Sequence, residues 1–231
     1  MKNVNKAVYA NKMLADDYSK EFPHEAIVLY TSSEVTFDNH DIDTQNPIFS
    51  YLGNFGFDRP KALIEISEVL QSINPSYKLD VYGKYPREDI KKLFEESPGI
   101  NSKGLVPYSE VKNVIAKSSI LFHAEVKNPA YQEGLRYGFS TKIADSIASG
   151  HPFLMYSSSE IAGASYIIET GVGWFSADKE QLKESIEEIL NNRERRLKVK
   201  QRALEIRESN HSYTRNKDAM RDFLAGLVGC I

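Results

Sequence analysis

Two stretches of this chain set glycines, hydroxyls and cations in an order suited to gripping a phosphate-bearing ligand. The first is Gly53-Asn54-Phe55-Gly56-Phe57-Asp58-Arg59-Pro60. Gly53 and Gly56 permit close backbone approach, and Arg59 stands where a helix begins. Free amides, the helix dipole and a charge-assisted donor then converge on an anion. A tight glycine turn carrying a surface arginine is the plain alternative. The stretch is not a dinucleotide fingerprint, because the third glycine of G-x-G-x-x-G is missing. The second stretch is LRYGFSTKIADSIASG, residues 135–150. Gly138, Ser140 and Thr141 run into a helix start, Arg136 and Lys142 flank them, and Asp145 lies within the first turns. Two hydroxyls and two cations at a helix N-terminus make a diphosphate cradle, and Asp145 is in reach of a ribose hydroxyl. An ordinary capped helix with dispersed charge is the alternative.

These loops need a scaffold, and the chain supplies a regular one. Short apolar runs at 48–53, 78–83, 119–125, 151–157 and 171–176, with a weaker one inside 99–107, read as strands. Helical patterns lie between them at 60–73, 87–96, 109–118, 140–150 and 159–170. Pro60 suits a first turn, Ser109 reads as a cap, and Gly150 as a stop. Such alternation predicts parallel β-α-β units in a doubly wound α/β sheet, with ligands beyond the carboxyl ends of the strands. Upstream, 7–22 reads as an amphipathic helix, 26–32 as a strand and 33–47 as a polar linker. Downstream, 179–209 is helical with a break near Asn191-Asn192, its charges reading as a solvated face, and 212–228 is a final helix.

Bulk properties narrow the function. The 231 residues are 41% hydrophobic and 26% charged, with a net charge of −3. That composition provides a packed core, contains no run near the ~20 apolar residues of a membrane span, and disfavours a nucleic-acid partner. No signal-peptide core marks the first residues. The single cysteine, Cys230, has no intrachain partner, so a cytoplasmic setting is expected. The five histidines lack metal-ligand spacing, and no metal is expected.

Taken together, the two glycine stretches resemble the C-terminal, donor-binding half of GT-B retaining glycosyltransferases. That family carries G-R-x-x-x-x-K-G after its first strand; here Asn54 replaces the first basic residue and Arg59 takes the lysine's place. Its second motif, E-G-F-G-x-x-x-x-E-A-x-A-x-G, is matched from Tyr137 to Gly150, with Asp145 on the ribose-binding acid and Tyr137 on the acid that touches the sugar. The resemblance implies a Rossmann-like domain over 47–208, an N-terminal-domain remnant and linker over 1–46, and a crossover helix over 209–231. It implies a UDP- or GDP-sugar as donor, no cofactor, and transfer with retention to a glycan or lipid-linked acceptor, at a membrane periphery in the full enzyme. Gly53, Asn54, Gly56, Arg59, Arg136, Gly138, Ser140, Thr141 and Lys142 would hold the diphosphate, and Asp145 the ribose. Tyr82, Gly83, Val106, Pro107 and Tyr108 would meet the base, while Glu125, Tyr137 and His123 would face the sugar. For Glu125 an exposed loop acid, and for His123 a core or rim histidine, are the alternatives; His211 reads as a core histidine. Most of the acceptor-binding domain has no counterpart here, so a half-enzyme that needs a separate acceptor-binding chain, or a nucleotide-binding module, is the rival reading. A sugar epimerase would need more acids and histidines, and a dehydrogenase an acid closing the second strand, which ends Tyr82-Gly83.

Overall fold

The structure, a computed structural model, describes residues 4–37, 41–125 and 127–228. Near the N-terminus, β1 (Lys6–Tyr9), α1 (Lys12–Glu21) and β2 (Glu25–Val28) form a small unit in which the two strands pair in parallel. The helix expected over 7–22 thus begins as a strand. Val8 and Tyr9 favour extended backbone, and Asn11 starts the helix by accepting from the Leu14 amide at 2.9 Å.

The regular alternation then unfolds as β3 (Phe49–Leu52), α2 (Arg59–Ile73), β4 (Leu79–Tyr82), α3 (Glu88–Glu95), β5 (Ile100–Gly104), α4 (Tyr108–Lys117) and β6 (Ile120–Ala124). It continues through α5 (Pro129–Leu135), α6 (Thr141–Ser149), β7 (Phe153–Tyr156), α7 (Ala162–Thr170), β8 (Trp174–Ser176), α8 (Lys179–Asn191), α9 (Arg193–Asn210) and α10 (Tyr213–Val228). Strands β3 to β8 form one parallel sheet in the order β5-β4-β3-β6-β7-β8. The chain winds outward from β3 to β5, returns to β6 and winds outward to β8. The reversal falls between β3 and β6, where the carboxyl ends of neighbouring strands part and leave a crevice.

Period-two alternation builds a core on each face of the sheet. In β6, Ile120, Phe122 and Ala124 join Leu63, Ile66 and Leu70 of α2, Phe94 of α3 and Leu182 and Ile186 of α8. Leu121 faces the other layer, with Ile115 of α4, Ile143 and Ile147 of α6, Ile167 of α7 and Ile206 of α9. Leu63, Ile66 and Leu70 are fully buried, each stabilising the fold by about 1.5–3 kcal/mol relative to exposure.

Two local differences from the sequence expectations concern the loops, and the expected helix break at 191–192 gains its cause. Helix α4 starts one residue early, with Pro107 at its cap, so Ser109 lies in the first turn. Helix α5 was not predicted: its seven residues carry no apolar stripe, and it is launched by Asn128, whose side chain accepts from the Ala130 amide. The break at 191–192 is a cap, Asn192 accepting from the Arg195 amide. Gly150 ends α6 in the left-handed region at φ 67°, as its position predicts.

The last helix reaches the β1-α1-β2 unit. Phe223 is buried there under Lys6, and Asn216 Nδ2 donates to the Tyr30 carbonyl at 2.7 Å. His211, at the α9–α10 joint, is fully buried. Its Nδ1 donates to the Thr31 carbonyl at 2.6 Å, which leaves Nε2 to accept from the Tyr166 hydroxyl at 2.9 Å. Burial pushes its pKa down. Among the described residues no helix is long and apolar enough to cross a membrane. Cys230 lies outside the described residues.

Candidate functional site

The turn after β3 is shaped by close approach. A Cβ on Gly83 would lie 2.1 Å from the Gly53 carbonyl oxygen, and one on Gly53 would lie 2.4 Å from the Tyr51 hydroxyl. Glycine at both positions lets the ends of β3 and β4 close together. Tyr51 then tucks under the turn and donates to the Asn54 carbonyl at 2.8 Å. Phe57 holds a left-handed φ of 55°, strained for a bulky residue. The turn delivers Arg59 to the first position of α2. Arg59 Nη1 donates to Asn54 Oδ1 at 2.8 Å, while Nε (3.0 Å) and Nη2 (2.5 Å) both donate to Glu125 Oε2. Glu125 follows β6, and burial raises its pKa against the opposing pull of Arg59. It is an ion-paired acid with a side chain only 16% exposed, not an exposed loop acid.

Across the crevice, the Gly138 amide donates to the Leu135 carbonyl at 2.7 Å and turns the chain into α6. Ser140 is the N-cap but makes no side-chain cap bond; the Ile143 amide donates to its carbonyl at 3.0 Å, and the Thr141 and Lys142 amides keep their donors for another acceptor. A cavity of about 280 Å³ lies between the two loops, lined by Asn54, Arg59, His123, Glu125, Gly138, Ser140, Thr141 and Lys142 together with Tyr51, Leu52, Ala124, Leu135, Phe139 and Ile161. Among the described residues Lys142 has no carboxylate within ion-pair distance. His123 is bonded to Ser146 Oγ at 2.9 Å; burial and then Lys142 push its pKa down to about 3, so it stands neutral. A second, mainly apolar cavity of about 260 Å³ shares Leu52, His123, Thr141 and Lys142 with the first. Tyr108, Val111 and Ile115 form its apolar wall, and Asp145 stands at its edge. Asp145 accepts from Ser33 Oγ at 2.7 Å, and burial raises its pKa.

A family model described as glycosyl transferase-like matches residues 61–224. The chain belongs to this glycosyltransferase family. No curated protein matches it. Among solved structures, sucrose-phosphate synthase from Thermosynechococcus elongatus is 14% identical, with 100% of this chain covering 60% of that one at a TM-score of 0.74. WaaG, a glycosyltransferase involved in lipopolysaccharide biosynthesis, is 14% identical over 92% of this chain and 60% of its own, at a TM-score of 0.65. HepE of Anabaena, solved with UDP and glucose, is 11% identical over 96% and 63%, at a TM-score of 0.70. The likeness is one of fold: the GT-B arrangement. This chain spans 60–63% of the length of these three structures.

The remaining candidates of this glycosyltransferase chain fall outside the two cavities. Arg136 pairs with Asp17 of α1 at 2.9 Å, and the Tyr137 hydroxyl donates to the same carboxylate at 3.0 Å. Both side chains thus face the β1-α1-β2 unit rather than the cavity. Gly83 contributes by its close contact with Gly53. Tyr82, Val106 and Pro107 line neither cavity; of the base-contact candidates only Tyr108 lines one, and that residue is 84% exposed. Sequence reasoning missed Ser33 on Asp145 and the apolar wall from Leu52 and Val111. Ser33 is 112 positions from its partner, a pairing no local pattern announces. Among the described residues no group of three or more histidines, cysteines or acids stands ready to hold a metal. The placement of Arg136 gives a direct expectation. Whatever anion the cavity takes, Arg136→Ala leaves its affinity within about twofold, because an exposed ion pair away from the cavity contributes little; calorimetric titration checks it, and a large loss would return Arg136 to the cradle.

Proposed function

We propose that this chain is the donor-binding half of a GT-B glycosyltransferase, taking a nucleoside-diphosphate sugar. The observation that carries the proposal is the pair of adjoining cavities at the β3/β6 crevice, one cationic and one apolar, with Asp145 beside the junction. In this reading the diphosphate lies against Lys142, the first-turn amides of α6, Gly138, Ser140, Thr141 and the outer donors of Arg59. The ribose bonds to Asp145, whose neighbour Ser33 fixes the carboxylate. The base enters the apolar cavity beside Tyr108. The sugar lies toward Glu125 and the neutral imidazole of His123.

The chemistry follows from where charge develops. When sugar C1 parts from the diphosphate, the leaving oxygen keeps the electron pair. A preorganised cation and helix amides steady that charge without reorganising. The related HepE, which holds UDP in its crystal structure, supports the choice of ligand class. Retention of anomeric configuration is part of the proposal, and the anomeric signal of a product by NMR tests it. The acceptor, a glycan or lipid-linked, is presented by a second domain or chain facing the crevice. A companion reading is that the chain binds donor and transfers the sugar only together with an acceptor-binding partner. Sugar release with and without a candidate partner separates the two.

The direct test is calorimetric titration with UDP, GDP and ADP. One of them binds, with an affinity that Lys142→Ala plus Asp145→Ala removes. Binding unchanged by the double substitution, or absent for all three, rejects the donor site as drawn.

A further inference from the structure

Among the described residues Glu125 is the carboxylate that lines the crevice cavity, and it is committed to Arg59. A guanidinium carries five N–H donors. Nε and one hydrogen of Nη2 go to Glu125, and one hydrogen of Nη1 goes to Asn54. One N–H on each terminal nitrogen remains for a ligand, yet the positive charge of Arg59 is already balanced. With His123 neutral, Lys142 is the cation of the cavity that has no carboxylate partner among the described residues.

That balance treats substrate and product differently. A nucleoside-diphosphate sugar brings about two negative charges. Transfer breaks the bond between C1 and the terminal phosphate oxygen, which keeps the electron pair, while the acceptor oxygen bonds to C1 and its proton passes to solvent water. The nucleoside diphosphate left behind ends in a phosphate whose second ionisation lies near pH 6, so at pH 8 it carries close to three charges. Resting on the donor-site reading above, we infer that Glu125 is a discriminating counter-charge: by neutralising Arg59 it lets the cavity hold the intact donor and narrows the advantage that the more highly charged spent nucleotide has at Lys142. Arg59 then serves as a hydrogen-bond donor more than as a charge, and Glu125 favours product release.

The test separates charge from sugar contacts. The whole chain is titrated at pH 8 with UDP, GDP and ADP and with each nucleotide's methyl ester on the terminal phosphate, which lacks both the sugar and the extra charge. Wild type binds the free diphosphate no more than about tenfold tighter than its ester. Glu125→Gln shifts the ratio roughly tenfold toward the free diphosphate, the scale of one close charge in a partly buried site. Glu125→Asp, which keeps the charge, stays within about threefold of the wild-type ratio. A Glu125→Gln variant that changes both affinities equally, or neither, overturns the inference and leaves the donor site standing. Should that variant not fold, wild type decides alone: a free diphosphate bound more than about tenfold tighter than its ester overturns the inference. If none of the six compounds binds, the donor-site reading falls and the inference with it.

Discussion

Lys142→Ala is expected to weaken nucleoside-diphosphate binding by roughly ten- to a hundredfold, the range of a lost hydrogen bond to a charged group. The argument is one of charge balance. Arg59 enters the cavity already paired with Glu125, His123 is neutral, and Arg136 is engaged with Asp17 outside it. On the proposed donor-site reading Lys142, in the first turn of α6, therefore supplies the net attraction for the diphosphate. Lys142→Arg recovers part of the affinity, since the charge returns with a different reach. A thermal melt close to wild type in both variants assigns the loss to the ligand contact. Affinity unchanged in Lys142→Ala would move the diphosphate elsewhere.

Acidification gives the second large effect, at His123. Its folded pKa of about 3 lies well below the ordinary histidine value of about 6.5. Between those values the unfolded chain binds a proton that the folded chain refuses. The contribution of His123 is therefore full above about pH 6.5 and is lost as pH falls toward 3, costing about 2 kcal/mol by pH 5. His211, also depressed by burial, acts in the same direction. Glu125 and Asp145 have raised pKa values and oppose it, because they take up protons in the folded state. The measurement is thus a difference: urea unfolding at pH 7 and pH 5 for wild type and for His123→Asn. The variant is less stable at pH 7, for want of the ring, but loses less on acidification, by about 2 kcal/mol. Equal losses in the two proteins refute a neutral buried His123.

The sheet was legible in the sequence because each strand and helix carries its own apolar period, and because Gly53, Gly83 and Gly150 punctuate them. The elements that escaped are those whose cause is tertiary. β1 exists because β2 pairs with it, and α5 follows an Asn128 cap without an apolar stripe. The site was legible in the same measure. Arg59, Gly138, Ser140, Thr141 and Lys142 gather at one cavity because their loops leave adjacent strands at the reversal of the sheet. Arg136 and Tyr137 stand beside them in sequence and apart from them in space. The bond from the Gly138 amide to the Leu135 carbonyl reverses the chain between them, and Asp17, 120 positions away from Tyr137, collects both side chains. Glu125 reads as a loop acid until Arg59 is brought across the crevice to meet it.

The junction of β3 with β6 also fixes when this crevice comes into being. Ile48 and Ser119, at the starts of the two strands, are joined by a hydrogen bond across 71 positions, and β3 and β6 pair directly after them. Contacts so distant along the chain form late, since the intervening loop must close first. During synthesis the segment through β5 therefore emerges with one wall of the cavity and none of the α6 donors, and the cavity is complete only when β6 and α6 have joined the sheet.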